Sequence, residues 1–587
     1  MIALTDEQRK AVEYPSDMAL SACPGSGKTR VIIAKLLRLA ESVEETPLSI
    51  GCITYTNAAV DEIEARIKLV GTNKLVGRCE ISTIHSFCLN FILRPYGWMH
   101  PDVPQSFTIL TSQMREFEEI VCAVEDEVGR PIRRSTFDDY GSLRHTIKGK
   151  SAGTGIESGI VTGDTAARYW EFVRGRGFLD FSMILYYSLC ILRSHPFVAK
   201  GIGARFAWLL IDEFQDTTDV QIAIFAHLRR HLHTQFFMVG DAHQSINGFA
   251  GANTTLGDCF CDHIGADRNH ALSGNFRCAP QIVTPAQNLI PRDPAMEAKG
   301  LAETRKGIVD YQHVASPVTG IEDYFLPALD DLGIAHGDAA ILAPWWVHLV
   351  PVARHLRELS VPVFGPGARP YKASRLYARL AEELGACIEQ GSMCDPSGVE
   401  KALFRLISEV MGQTRFDLFS YDGRRTSLTL IAEAKRLAAI HEGAVAWLEA
   451  SSVAMGDILA RGEWITGSAA KALEASVENM KSDMEGRVDL DNMVIADLGI
   501  FANPSRAIKL ITMHTAKGRE YEAVAIINAN DGHIPFFAIT GDPAKVEEAQ
   551  RLFYVGITRA KRYLLVLSDQ GDRRNVPSRF IEESGLG

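Results

Sequence analysis

The sequence predicts an α/β fold assembled from parallel sheets, each interrupted by a mainly helical insertion. Short apolar runs such as Trp208-Leu209-Leu210-Ile211 have no wet face, as expected of strands covered by helices on both sides. Polar segments follow these runs directly, at the strand ends where α/β folds place ligands. Over two long stretches, 95–178 and 371–505, the pattern becomes helical.

Size and composition narrow the reading. A chain of 587 residues has room for about four domains. Its 46% hydrophobic and 23% charged residues are those of a chain folded throughout. The N-terminal residues carry no basic-then-apolar leader, and no run approaches a membrane span, so a soluble, cytoplasmic protein is expected. A net charge of -11 argues against a protein that coats nucleic acid non-specifically, while leaving room for a local basic groove. Eleven cysteines without a Cys-x-x-Cys frame suit reduced thiols. Cys259, Cys261, His263 and Cys278 cluster in sequence, but their spacing fits no usual zinc pattern and reads as ordinary thiols.

Thr5 opens the first helix as an N-cap with Gln8 three residues on, a capping-box pattern. The Gln8 carboxamide has a second reading, because its donor and acceptor suit the edge of adenine. Met18 to Ser21 reads as a strand, and Val31, Ile32, Ile33, Leu36 and Leu37 mark a helix. Between them lies Ala22-Cys23-Pro24-Gly25-Ser26-Gly27-Lys28-Thr29, a phosphate cradle. Its small residues let backbone N–H groups converge on phosphate oxygens, and the helix N-terminus adds partial positive charge. Lys28 reaches the β/γ-phosphates and Thr29 offers a hydroxyl to Mg²⁺. Ala22 in place of the first glycine and the stiff Pro24 depart from the commonest pattern.

A second strand, Leu48 to Thr54, leads through Tyr55-Thr56-Asn57 into a helix striped by Val60, Ile63 and Ile67. Ser82-Thr83-Ile84-His85-Ser86-Phe87 opens another helix. The strand at 208–211 ends in Asp212-Glu213-Phe214-Gln215-Asp216. Adjacent carboxylates at the tip of a buried strand are costly without a cation, which a Mg-nucleotide supplies. Asp212 then holds Mg²⁺ and Glu213 polarises the attacking water; the bland alternative is a solvated acidic turn. After the strand Phe236 to Val239, Gln244 is placed to sense the γ-phosphate, and Phe249 is an aromatic on which a base can stack. A second block starts at Leu272, with strands at Ala339 to Ala343, Ile508 to Thr512, Val524 to Ile527 and Leu564 to Leu567. Its helical interruption carries Leu403, Leu406, Ile407 and Val410 on one face.

Asp212-Glu213-Phe214-Gln215-Asp216-Thr217, Val239-Gly240-Asp241-Ala242-His243-Gln244-Ser245-Ile246, Asn275-Phe276-Arg277 and Tyr554-Val555-Gly556-Ile557-Thr558-Arg559-Ala560 occur in one order. That series resembles the UvrD/PcrA/Rep branch of superfamily 1 DNA helicases over nearly the whole chain. The resemblance implies two RecA-like P-loop motor domains, 1A (1–94 and 179–271) and 2A (272–370 and 506–587), with insertions 1B (95–178) and 2B (371–505). It implies ATP and Mg²⁺ in the cleft between motors, single-stranded DNA across their top, and ATP-driven 3′-to-5′ movement with unwinding of 3′-tailed duplex.

Carried over by position, Gln8 and Phe276 meet adenine; the loop Ala22 to Gly27 with Lys28, Thr29 and Arg30 holds the phosphates and Mg²⁺; and Glu520 meets the sugar. Arg277 and Arg559 become arginine fingers from the second motor, and Tyr55, Asn57, His85, Phe249 and His514 face DNA. One segment departs: Asn247-Gly248-Phe249-Ala250-Gly251-Ala252 stands where the family commonly has Tyr-Gly-Trp-Arg-Gly-Ala, so one ring and one cation are missing. Compact insertions, and an end soon after Pro577-Ser578-Arg579-Phe580, bring a looser resemblance to the helicase-like subunit of Gabija-type anti-phage systems. This implies a second function, a DNA-stimulated or nucleotide-sensing ATPase that unwinds little alone and works with a partner such as a nuclease subunit.

Overall fold

Six strands build the first sheet: β1 (Met18–Ala22), β2 (Ser49–Thr54), β3 (Cys79–Thr83), β4 (Phe206–Ile211), β5 (Gln235–Gly240) and β6 (Ala271–Leu272). Their order is β6-β1-β5-β4-β2-β3, and every pairing is parallel. Register sets Ser21 beside Gly240 and Ile211 beside Ile53 and Met238, so the carboxyl ends of β1, β4 and β5 come out at one edge. This edge carries the Cys23–Gly27 loop, the Asp212-Glu213 pair and the Gly240-Asp241 turn. The computed structural model describes residues 3–231, 234–248, 251–411, 420–485, 490, 493–571 and 576–587.

Helices α1 (Asp6–Glu13), α2 (Lys28–Ser42) and α3 (Asn57–Val70) belong to this layer. Helix α2 buries Val31, Ile32, Ile33 and Leu36 against Leu20, Leu210 and Val239 of the sheet. The same buried face includes Lys35, at 1% exposure. Its ammonium donates to Val12 O (3.1 Å) and Tyr14 O (2.5 Å) and lies over the rings of Trp208 and Phe237, so a cation ties the end of α1 to α2.

The 95–178 stretch is helical where expected, at Arg115–Val128 and Gly163–Gly175, with two-residue strand pairs at Thr108–Ile109/Phe178–Leu179 and Arg144–His145/Ser151–Ala152. Its apolar residues Phe117, Ile120 and Trp170 share one core with Ile184, Leu209 and Phe236 beneath the sheet. The insertion is therefore anchored on the first unit's own core.

The second sheet comprises β7 (Ile308–Val314), β8 (Ala339–Ala343), β9 (Val363–Phe364), β10 (Ile508–Thr512), β11 (Tyr521–Ile526) and β12 (Ala560–Asp569). Its order is β7-β12-β11-β8-β10-β9, again all parallel. Sequence patterning misses β3, β6, β7 and β9. Strands β6 and β9 are two residues long, and β7 carries Asp310, Gln312 and His313 among its apolar residues. The helical interruption holds Ala378–Gln390, Ser397–Met411, Tyr421–Ala438, Ala444–Arg461 and Gly467–Met484. It has its own core, in which Leu403, Leu406 and Ile407 meet Trp447, Leu473 and Met480. Cys387 and Cys394 form a disulfide there, correcting the expectation of reduced thiols throughout. The turn after Gln390 brings their Cα atoms to 4.9 Å, a separation a disulfide spans.

Contacts divide the chain into a unit of Met1–Arg277 with Ile290–Glu303 and a unit of Cys278–Leu289 with Thr304–Gly587. The sequence reading opens its second block at Leu272. The residues to Arg277 instead group with the first unit, because Phe276 N donates to Gly25 O (2.9 Å) and Gly274–Asn275 pairs with Glu297–Ala298. No helix among the described residues is long and apolar enough to cross a membrane.

Candidate functional site

The turn from β1 into α2 has the geometry of an anion cradle. Gly25 (φ 68°) and Gly27 (φ 81°) lie in the left-handed region, which a side chain would strain. A Cβ at Gly25 would stand 2.7 Å from both Asn275 Oδ1 and Arg277 Cβ, so the Asn275-Phe276-Arg277 segment is packed directly on the loop. Gly27 is the N-cap of α2 and brings no side-chain cap, leaving first-turn N–H groups for an anion. Ser26 Oγ is buried without a hydrogen-bond partner among the described residues. A buried hydroxyl and uncapped donors fit a phosphate-bearing ligand.

Gln8 serves both helix and loop. Its backbone N–H and Oε1 complete the capping box with Thr5, at 3.3 and 3.1 Å, while Nε2 donates to Ser26 O at 2.9 Å. Cys23 and Pro24 are buried, with Cys23 Sγ donating to Ser273 O at 3.4 Å, and Thr29 and Arg30 lie in the opening turn of α2.

Facing the loop, Lys28 Nζ donates to Glu213 Oε2 at 3.3 Å. Burial acts to lower the Lys28 pKa, but the carboxylates of Glu213, Asp241 and Asp212 outweigh it and hold the ammonium charged. Asp212 is raised out of the carboxylate range, first by burial and then by Glu213 beside it. An acid pair held this way suits a divalent cation, with Asp212 and the Thr29 hydroxyl as the oxygen donors available. Glu213 has φ 50°, a region non-glycine residues seldom occupy and one in which functional sites often hold strain.

Hydrogen bonds extend from the acid pair. Gln215 Nε2 donates to Glu213 Oε2 (2.6 Å), and its Oε1 accepts from Asp241 N (2.9 Å). Gln244, 4% exposed, donates through Nε2 to Asp241 Oδ2 at 2.6 Å. The structure thus joins Lys28, Glu213 and the Asp241–Gln244 turn, three places distant in sequence, in one network. Among the described residues no cluster of three or more His, Cys, Asp or Glu side chains could hold a metal ion.

Two residues expected at the nucleotide lie in the second unit. Arg559 is 1% exposed and donates to Val555 O (3.0 Å), Arg519 O (3.2 Å) and Thr558 Oγ1 (3.2 Å). Glu520 is exposed and pairs with Lys561 Nζ at 3.1 Å.

On the strand-end surface of the first unit, Tyr55 is 47% exposed and Asn57, at the start of α3, is exposed. His85 is half-buried, and burial lowers its pKa to about 4. Phe249, with Ala250, lies outside the described residues. His514 is exposed in the second unit.

Sequence reasoning missed two further side chains, one beside His85 and one beside Gly251. Phe181, 47% exposed, meets the His85 ring edge-to-face at 5.0 Å; an exposed aromatic after the helix-capping Asp180 was the available signal. Arg144 packs its guanidinium on Gly251, where a Cβ would meet Arg144 Cζ at 2.7 Å. A cation from the 95–178 stretch therefore stands beside Gly251, and nothing local in sequence announces it.

The chain matches the UvrD/REP helicase N-terminal domain over residues 4–260 and the UvrD-like helicase C-terminal domain over residues 487–570. It is 26% identical to DNA helicase II of Salmonella typhimurium and 26% identical to DNA helicase II of Escherichia coli, each match covering 99% of this chain and 87% of the relative. It is 23% identical to the ATP-dependent DNA helicase PcrA of Staphylococcus epidermidis, over 99% of this chain and 86% of that protein. With both family domains matched in order and two parallel-sheet RecA-like domains in the fold, the chain belongs to the UvrD/Rep family of DNA helicases.

Proposed function

We propose that this protein is an ATP-dependent motor that moves 3′ to 5′ on single-stranded DNA and separates duplex ahead of it. The observation that carries the reading is the hydrogen-bonded series Lys28–Glu213–Gln215–Asp241–Gln244 along the ligand edge of the first sheet. ATP with Mg²⁺ would supply the phosphoanhydride whose hydrolysis drives movement. The first-turn N–H groups of α2 and Lys28 bind phosphate, Thr29 and Asp212 offer oxygen ligands to the cation, and Glu213 takes the proton of the attacking water. Gln8 and Phe276 flank the base, Gln244 faces the terminal phosphate, and Glu520 the sugar. Arg277 and Arg559 neutralise charge developing on the transferred phosphoryl group. Tyr55, Asn57, His85, Phe249 and His514 form the DNA path, to which Phe181 and Arg144 are added. The test is ATP turnover with and without single-stranded DNA, followed by strand displacement on 3′-tailed and 5′-tailed duplexes. Equal displacement from both tails would overturn the polarity, and turnover indifferent to DNA would overturn the motor.

A second reading, a DNA-stimulated or nucleotide-sensing ATPase of an anti-phage complex with a nuclease partner, is favoured by one observation. The Asn247-Gly248-Phe249-Ala250 segment lacks the family's second ring and arginine. Strong stimulation by DNA with no displacement of either tail would select it.

A further inference from the structure

We propose that Arg292 is a positioning residue that sets Gln244 and the phosphate loop in register with one another. The side chain of Arg292 is 6% exposed. One guanidinium nitrogen donates to Asp241 Oδ1 at 2.8 Å and the other to Ala22 O, the start of the phosphate loop, at 3.1 Å. Asp241 is fully buried, and its other oxygen accepts from Gln244 Nε2 at 2.6 Å. His243 N also donates to Asp241 Oδ1, at 3.1 Å. A single planar cation thus fixes the carboxylate that aims the Gln244 amide and the carbonyl from which the loop departs. The fork of arginine suits this double duty, whereas the ammonium of lysine is a single point charge.

The placement explains why no contiguous motif contains the residue. Arg292 lies in Ile290–Glu303, a stretch that packs with the first unit although the chain on both sides of it, Cys278–Leu289 and from Thr304 onward, belongs to the second. A brace of this kind acts on turnover more than on affinity. The phosphate donors of the loop remain, while the partner of the developing charge loses its aim.

This inference rests on the ATPase reading, and wild-type turnover with single-stranded DNA is measured first; its absence would sink that reading alone. In Arg292→Lys, the charge opposite Asp241 is kept, so the thermal midpoint should stay near wild type. Turnover should fall about tenfold, the scale of losses when a supporting shell is disturbed, with KM for ATP within about twofold, as expected when ground-state binding is spared. Turnover is normalised to the fraction of protein that binds a fluorescent ADP analogue. The charge-neutral pair Arg292→Met with Asp241→Asn, which leaves no unpaired buried charge, should be folded and equally slow. Normalised turnover within about twofold of wild type in a folded Arg292→Lys protein would overturn the proposal. So would a failure of both variants to fold, which would make Arg292 part of the framework only.

Discussion

Lys28 Nζ stands 3.3 Å from Glu213 Oε2, joining residues 185 positions apart in a partly buried ion pair. Each belongs to a different strand end, and only the parallel register of β1, β5 and β4 brings them together. The same Glu213 oxygen accepts from Gln215 Nε2 at 2.6 Å, so the carboxylate is aimed from two sides.

The first expected outcome concerns this pair. Lys28→Ala should abolish ATP turnover. Glu213→Gln should bind nucleotide while turnover falls about 10²- to 10⁴-fold, the usual worth of a general base. Turnover close to wild type in either protein, with native circular dichroism, would remove the assignment.

Arg277 and Arg559 should each matter to the transition state. Replacing either by alanine should lower turnover by up to about 10³- to 10⁵-fold, as for other arginines that face a transferred phosphoryl group, with little change in nucleotide affinity. Steady-state kinetics beside a direct binding titration separates the effects. A raised KM with unchanged turnover would make them ground-state phosphate ligands.

DNA binding should lean on stacking. Tyr55→Ala, Phe181→Ala and Phe249→Ala should each weaken single-strand binding by roughly 1 to 3 kcal/mol, while basal hydrolysis persists. With a net charge of -11, few phosphates are expected to be neutralised, so the salt dependence should be shallow. Arg144→Ala should reduce that slope by about 0.7, the contribution of one phosphate contact. Fluorescence anisotropy across a salt series reads both, and a slope indifferent to Arg144 would take it off the DNA path.

The insertion should carry a pH-dependent stability. His145 is sandwiched between Trp170 (3.7 Å) and Tyr186 (4.6 Å), and burial, with Arg174 adding to it, lowers its pKa to about 3. Below the unfolded value near 6.5, the unfolded chain binds a proton that the native ring refuses until about pH 3. Stability should therefore fall as pH drops through that window, by up to about 1.4 kcal/mol per pH unit for this one group. His145→Phe keeps an aromatic in the stack and removes the titration. Urea unfolding of both proteins from pH 7.5 to 5 should show wild type losing ground as pH falls, and parallel curves would remove His145 as the cause.

Much of the fold was legible because its signals are local. The run Trp208 to Ile211 reads as a doubly covered strand from composition alone, Thr5 and Gln8 announce their capping box by spacing, and the loop before Lys28 carries its glycines where left-handed backbone is required. Edge strands β6 and β9 were not legible, because two residues have no periodicity to detect, and in β7 the polar Asp310, Gln312 and His313 break the apolar run.

The sequence by itself determined the two parallel-sheet blocks, the order of their motifs and the chemistry available at Lys28, Asp212, Glu213 and Gln244. Tertiary structure alone decided which residues far apart in the chain stand beside one another. Arg292 reaches Asp241 and Ala22, Phe181 meets His85, and Arg144 lies on Gly251. The physical reason is that hydrophobic periodicity is written into neighbouring residues, whereas a hydrogen bond or ring contact is set by distance in space. Partners separated by long stretches of chain leave no trace in spacing until the sheet register and the return of residues 290–303 to the first unit bring them within reach.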